Sequence, residues 1–382
     1  MKSKSYVSFL FFMLFSIISC GSNKEQNFVK TPSINMTEAD ELDFNELVED
    51  VNCLVLEDTP DAFLHDSWKI IKYKQFYYIY SLSDFAVCVF DNKGSLVNRI
   101  DGKGSGAVET PCDIYIEETK DQLWIIESRC FINKYSLSGK FINKEKLAFN
   151  AVKLAQTYKG NYLFYTGGFD KNLDYYIRQT SADFKTKNHF VKKTIESHMT
   201  MPPSLFTSDS NSGNIYSLLP NNDTIYICNK DEQYKPFLHL DFDGKLLTFK
   251  EFPAKGFKDK EMAHIINKKE RINNITGFNF ASGLLFMQLR GYDSSYRAIN
   301  LKTQTPYKFR SLIDSTSLTS TATNIQGSTT TSLLLSIPAN QFLNEYSKYD
   351  NNTRYSSIKK VLDNPASVKN RVIIEIIIKN KL

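Results

Sequence analysis

A recurring strand–turn–strand unit constrains this chain more than any other feature. The segments Phe90–Val97 (FDNKGSLV), Tyr135–Ile142 (YSLSGKFI) and Leu240–Leu247 (LDFDGKLL) share one pattern. Each closes a strand, passes through a polar turn with glycine where a positive φ is needed, and opens a new apolar strand. The glycines stand 45 and 105 residues apart, the second gap fitting two periods, and Ile299–Thr305 is a weaker echo. Apolar or aromatic strands precede these turns at Phe76–Tyr80, Leu123–Glu127, Tyr162–Tyr165, Ile215–Leu219, Leu284–Leu289 and Ser332–Ile337. Repetition at this period, with several strands per unit, points to a propeller. Helical solenoids are excluded because the pattern alternates and the strands carry Val, Ile, Tyr, Phe and Thr.

The expected fold is all-β: a six-bladed β-propeller of four-stranded antiparallel blades. Blades are expected near residues 67–101, 111–147, 150–194, 203–250, 274–312 and 320–378, the last completed by the N-terminal strand Cys53–Glu57. Such closure removes free sheet edges, which the run Val372–Ile378 (VIIEIII) would otherwise expose. Short helical insertions are expected in the C-terminal part, at Lys258–Glu270 and as a helix pair within Ala339–Leu362.

Before the propeller, residues 1–19 read as a lipoprotein signal peptide: Lys2 and Lys4, then the apolar stretch Tyr6–Ile18, too short to cross a bilayer as a helix. Ile17-Ile18-Ser19-Cys20-Gly21 reads as a lipobox with Cys20 as the lipid-attachment residue. Two or more acyl chains would hold the protein stably on a membrane. Residues 20–50, polar and acidic toward their end, read as a lipid-anchored spacer, and residues 51–382 as the propeller. The expected location is the cell envelope, as an outer-membrane lipoprotein.

The lipobox, Tyr77–Ser81 (YYIYS) and Val87–Val97 (VCVFDNKGSLV) form one set of features. They are followed by the loop Gly102–Gly106 (GKGSG), Cys112–Tyr115, Leu123–Ser128 and Asp363-Asn364-Pro365. Together they resemble the six-bladed β-propeller lipoproteins of Bacteroidota, relatives of NHL-type propellers. The resemblance covers most of the chain and is strongest in the first two blades. One departure is visible: Ala107 and Val108 precede Glu109 where that family carries Glu directly after the glycine loop. The resemblance implies fold and address, and brings no assigned activity.

The chemistry-bearing residues form no catalytic signature. GKGSG lacks the Lys-Ser/Thr after its last glycine and is followed by a strand, so it reads as an inter-blade crossover rather than a phosphate loop. The histidines, at 65, 189, 198, 239 and 264, show no metal-ligand spacing, and no cofactor is expected. If any ion binds, calcium on loop carboxylates or carbonyls suits the residues better than zinc. Cys53, Cys88, Cys112, Cys130 and Cys228 contain no CxxC, and a Cys112–Cys130 bond within the second blade is conceivable. With 47 Lys and Arg against 42 Asp and Glu, the net charge of +5 is too mild for a nucleic-acid binder.

A functional face is expected in the funnel where inner strands begin and the loops between second and third strands converge. Candidate binding residues there are Lys103, Asp84, Glu127, Arg129, Asp170, Asp223, Arg290 and Tyr292. The reading is an envelope-anchored binding or interaction module for a glycan, peptide or partner protein. Two alternatives stand beside it: an NHL-type propeller enzyme, hydrolase or lyase, with its site in the funnel, and a structural subunit of an outer-membrane complex.

Overall fold

The structure is a computed structural model. It describes residues 31–103, 106–128, 130–167, 174–193, 204–248, 251, 270–310, 312, 324–346 and 354–380. The signal segment, Cys20 and most of the expected helix Lys258–Glu270 lie outside the described residues.

Six sheets form, each an up-and-down meander. Blade 1 holds Lys69–Tyr73, Phe76–Ser81, Ala86–Asp91 and Leu96–Ile100. Blade 2 holds Pro111–Glu117, Gln122–Glu127, Phe131–Ser136 and Phe141–Lys146. Blade 3 follows with Lys153–Gln156, Tyr162–Tyr165, Tyr175–Thr180 and Thr186–Lys192. Blade 4 comprises Phe206–Asp209, Asn214–Leu218, Thr224–Cys228 and Tyr234–Asp241. Blade 5 comprises Ile272–Ala281, Leu284–Gly291, Tyr296–Asn300 and Pro306–Phe309. Blade 6 is built from Gly327–Ser328, Ser332–Pro338 and Arg371–Ile378, and Val48–Val55 from the start of the fold supplies its outer strand. The six-bladed expectation therefore holds, including closure by an N-terminal strand.

The ring closes for a hydrophobic reason. The middle strands of each blade are apolar on both faces, so each blade must bury two faces against neighbours. Six apolar clusters result, one in each inter-blade interface. Tyr78 and Val87 of blade 1 pack on Ile114 and Ile125 of blade 2, and Leu334 and Ile373 of blade 6 pack on Ile70 and Ile79 of blade 1. Outer strands face water; Thr186–Lys192 is mostly exposed. The inner strands of successive blades touch one another around the axis.

Glycine is required where the turn in blade 1 meets the closing strand. Gly94 has φ +86°, and a Cβ there would lie 2.1 Å from the carbonyl oxygen of Val55. In blade 5 the equivalent turn has no glycine, and Gln304 takes the left-handed conformation instead, at φ 57°. That substitution is why Ile299–Thr305 reads as a weak echo.

One boundary expectation is corrected. From Pro32 onward the supposed spacer is part of the fold. Ser33–Asn35 adds a parallel fifth strand to the outer edge of blade 4, and Asp40–Glu41 does the same for blade 5. The acidic residues suggested a solvated linker, yet Ile34, Met36, Phe44 and Leu47 between them are buried. Phe44 meets Phe286 and Phe309 edge-on. The expected helix pair appears as Ala339–Tyr346 and Ser356–Leu362, inserted between the middle strands of blade 6 and buried through Phe342 and Ile358. No helix among the described residues is long and apolar enough to cross a membrane.

Candidate functional site

A meander of four strands sends its connections alternately to two faces. The hairpin after each inner strand lies on one face, and the inter-blade crossovers and the loops between second and third strands lie on the other. A cavity of about 440 Å³ runs along the inner strands. Its walls carry Lys69 and Lys72 from blade 1, Thr207 and Ser208 from blade 4, Asn279 from blade 5 and Gln326 from the entry to blade 6. Ser210, Thr329, Thr330 and Glu118, from the hairpins that follow inner strands, line the other end. Among the described residues no loop between second and third strands contributes; Ser204 and Gln326, at the entries to their inner strands, line the end opposite the hairpins.

Buried charge closes the inner end. Lys69 Nζ donates to Asp113 Oδ1 at 2.8 Å and to the Ile114 carbonyl at 2.9 Å. Lys153 Nζ approaches the same Asp113 oxygen at 3.3 Å and the Cys112 carbonyl at 3.2 Å. Asp113 and Lys153 are each 1% exposed, while the Lys69 side chain, which lines the cavity, is 18% exposed. Burial pushes Lys153 below the ordinary lysine range, and Asp113 pulls part of that back. Asp113 Oδ2 and Ser204 Oγ are buried without a hydrogen-bond partner among the described residues. Gln326 is fixed by Ser67 and by the Ser336 amide. Lys72 donates to both oxygens of Glu375, at 2.9 and 2.8 Å. Burial alone would lower Lys72, but Glu375 holds it above its ordinary value.

The residues singled out from the sequence lie away from this cavity. Asp84 accepts from His65 Nδ1 at 2.6 Å, from the His65 amide and from Ser81 Oγ. Burial would raise Asp84; these donors instead hold it below the usual carboxylate value. Glu127 is buried and takes Lys144 Nζ at 2.6 Å and the Glu109 amide at 2.8 Å. Asp223 pairs with His239 at 3.4 Å, and Arg290 donates to Asn324. Lys103 is exposed beside Asp101, and Tyr292 is 71% exposed. Arg129 and Asp170 lie outside the described residues. The polar partners named here for Asp84, Glu127, Asp223 and Arg290 come from their own blades or adjoining loops, and none joins one candidate to another.

A model of the family described as 6-bladed beta-propeller (DUF5128) matches residues 22–332. The chain belongs to that family. No curated protein matches it. Among solved structures it is similar to a candidate exported protein of Bacteroides fragilis, with 17% identity over 91% of this chain and 99% of that one and a TM-score of 0.68. A member of the DUF4221 family from Bacteroides vulgatus gives 8% identity, 88% and 98% coverage and a TM-score of 0.52. A virginiamycin B lyase from Staphylococcus aureus gives 12% identity, 75% and 80% coverage and a TM-score of 0.44.

For this family member the thiols are quiet. None of the five described cysteines is joined in a disulfide. The conceivable Cys112–Cys130 bond does not form: Cys112 Sγ turns to the Thr110 carbonyl and Cys130 Sγ to Asn150 Oδ1. Burial pushes Cys53, Cys88 and Cys228 up to about 12 and Cys112 to about 11, so these thiols stay protonated and poorly nucleophilic at neutral pH. The glycine loop opens onto the strand Pro111–Glu117, as a crossover does. Among the described residues no three His, Cys, Asp or Glu side chains are grouped to hold a metal.

Sequence reasoning missed Lys69, Asp113 and Lys153. A signal was present: Trp68-Lys69-Ile70, Cys112-Asp113-Ile114 and Val152-Lys153-Leu154 each place one charge at the start of an inner strand. Three consecutive repeats with a charge at the same step of a buried strand bring those charges together at the axis.

Proposed function

We propose that this protein is an envelope-anchored lipoprotein that binds a small polar ligand in its central cavity, a glycan fragment or peptide end. The observation that carries the reading is the lining. One wall offers the Thr207, Ser208 and Ser328 hydroxyls, while Phe206 and Ile116 supply apolar contact. A cavity of this size falls within the range of about 300–1,000 Å³ usual for ligand sites. Hydroxyls both donate and accept, which suits a ligand bearing several hydroxyl or amide groups. The envelope address draws support from the lipobox at Cys20 and from the similarity to a candidate exported protein.

The test is a thermal-shift panel of glycans, peptides and calcium on the full chain and on Ser208→Trp. Ser208 is exposed at the cavity, so the indole fills it without disturbing the core. A ligand at 100 times its dissociation constant stabilises the wild type by about 2.7 kcal/mol. The shift should vanish in Ser208→Trp; an equal shift in both proteins moves the site elsewhere. Replacement of Cys20 by Ser should release the protein from the membrane fraction.

One observation favours an enzymatic reading. His65 is held through Nδ1 by Asp84 while its side chain remains 70% exposed, the carboxylate–imidazole arrangement of a general base. Turnover of a panel ligand that His65→Ala abolishes would establish it.

A further inference from the structure

We infer that a groove between the hairpin ends of blades 4 and 5 is a second ligand site, one that takes a neutral hexopyranose unit. The groove shares no lining residue with the central cavity, so the inference goes beyond the reading above.

The groove has a volume of about 420 Å³. Asp209 and Asn214 border it from the first hairpin of blade 4, and Asn300 and Lys302 from the last turn of blade 5. Asn300 is 5% exposed. Its Oδ1 takes the backbone amides of Lys302 at 2.9 Å and Thr303 at 3.2 Å. A backbone N–H can meet only the oxygen of a side-chain amide, so those two bonds fix which way the group points. The Nδ2 hydrogens are then left on the groove wall with no acceptor among the described residues. Buried amides are as a rule satisfied, so an unanswered donor on a groove wall calls for an oxygen from outside the chain.

The rest of the lining names the ligand class. Asp209 and Lys302 are its charged residues, one of each sign, so the groove as a whole favours a neutral ligand. Lys302 is exposed and has no carboxylate partner among the described residues. Asp209 is held in place by the Asn211 amide at 3.0 Å on Oδ1 and by Ser212 Oγ at 2.6 Å on Oδ2. Each of its oxygens keeps a further lone pair. Donors at Asn300 and Lys302 beside an acceptor at Asp209 suit hydroxyls, each of which gives one hydrogen and accepts another. Tyr216 and Phe280 supply the apolar part, with ring centroids 6.3 Å apart and planes 22° apart. A pyranose ring joins hydroxyls and an apolar C–H face in a molecule small enough for this groove.

The experiment is isothermal titration of the full chain with the methyl glycosides of glucose, galactose, mannose and N-acetylglucosamine, and with alanylalanine as a zwitterion. Each is titrated into wild type, into Ser208→Trp, which fills the central cavity, and into the double variant Asn300→Asp with Lys302→Met. Asn300→Asp keeps the oxygen that holds the turn and removes the amide hydrogens, and Lys302→Met keeps the stem of an exposed side chain. The fold should therefore survive, as a melting curve will show. At least one glycoside should bind wild type and Ser208→Trp equally well. Its affinity should fall at least about tenfold in the double variant, the loss expected from two modest hydrogen bonds. A glycoside that binds the double variant as well as wild type, or that Ser208→Trp abolishes, overturns the groove site and leaves the central-cavity reading standing. Tighter binding of alanylalanine than of any glycoside, lost in the double variant, overturns the sugar assignment. Binding of none of the five overturns the site.

Discussion

Replacing Asp113 by Asn tests whether the buried charges at the axis depend on one another. The change is isosteric and keeps an acceptor for Lys69 and Lys153, but it removes the carboxylate that both ammonium groups approach. Lys153 is 1% exposed, so losing the Asp113 carboxylate raises the cost of keeping it charged and favours its neutral form. Holding a lysine neutral at pH 7 costs about 1.4 kcal/mol for each unit below its unfolded value of about 10.4, a ceiling near 4.6 kcal/mol. Breaking a buried pair by removing one partner typically costs about 3–5 kcal/mol, which agrees. Asp113→Asn should therefore lose about 3–5 kcal/mol at pH 7.

The pH dependence carries a definite sign. Lys153 already titrates below its ordinary value in the folded protein, so between the folded and unfolded values the unfolded chain binds more protons. Stability contributed by this group rises with pH over that interval. Without Asp113 the folded value falls further and the interval widens downward. The deficit of Asp113→Asn should thus shrink as pH rises from 7 toward 10. Urea unfolding followed by fluorescence of Trp124, buried within the interface of blades 2 and 3, measures both effects. Adding Lys153→Met should recover most of the loss, since removing both members of a buried pair is often close to neutral. A deficit under about 1 kcal/mol, or one equally large at pH 7 and 10, would refute the coupling.

Two further changes probe how the ring is closed. Phe44→Ala empties a site between blade 5 and the N-terminal segment, where Phe44 is 2% exposed, and should cost about 3–5 kcal/mol in the same unfolding assay. Gly94→Ala forces a positive φ on a residue with a Cβ and drives that atom against the Val55 carbonyl, so a loss of about 2 kcal/mol or more is expected. A Gly94→Ala protein as stable as wild type would show that the closing strand can shift to make room.

The fold was legible because its repeat is written twice, in the apolar middle strands and in the turns between them. Blade 1 needed only Phe76–Ser81, Ala86–Asp91 and the turn glycine Gly94 to be placed. The N-terminal segment was misread because four apolar residues, Ile34, Met36, Phe44 and Leu47, are scattered among acids at neither helical nor strand spacing. Their burial depends on blade edges far along the chain, which local patterning does not encode. The cavity was illegible for a related reason. Charged residues in loops attract attention, yet Asp84, Glu127 and Asp223 spend their charges on His65, Lys144 and His239. Charges inside strands look like surface positions until the topology places them at an axis. The lone Glu375 in VIIEIII finds its partner, Lys72, 303 residues away.

The six inner strands occupy equivalent places, but their chemistry divides the ring in two. Blades 1, 2 and 3 present Lys69, Asp113 and Lys153 at the start of the inner strand. Blades 4, 5 and 6 present Thr207, Asn279 and Gln326 along theirs or at its entry. A purely structural axis could be filled with Val, Ile and Leu at lower desolvation cost, because a buried ion pair rarely outdoes apolar packing of the same volume. Orphaned Asp113 Oδ2 and Ser204 Oγ add to that cost. Such an arrangement is stable only because the six apolar inter-blade clusters carry the fold without help from the axis. That division of labour leaves the axis free to carry polar side chains, charged on the side of blades 1 to 3 and neutral on the side of blades 4 to 6.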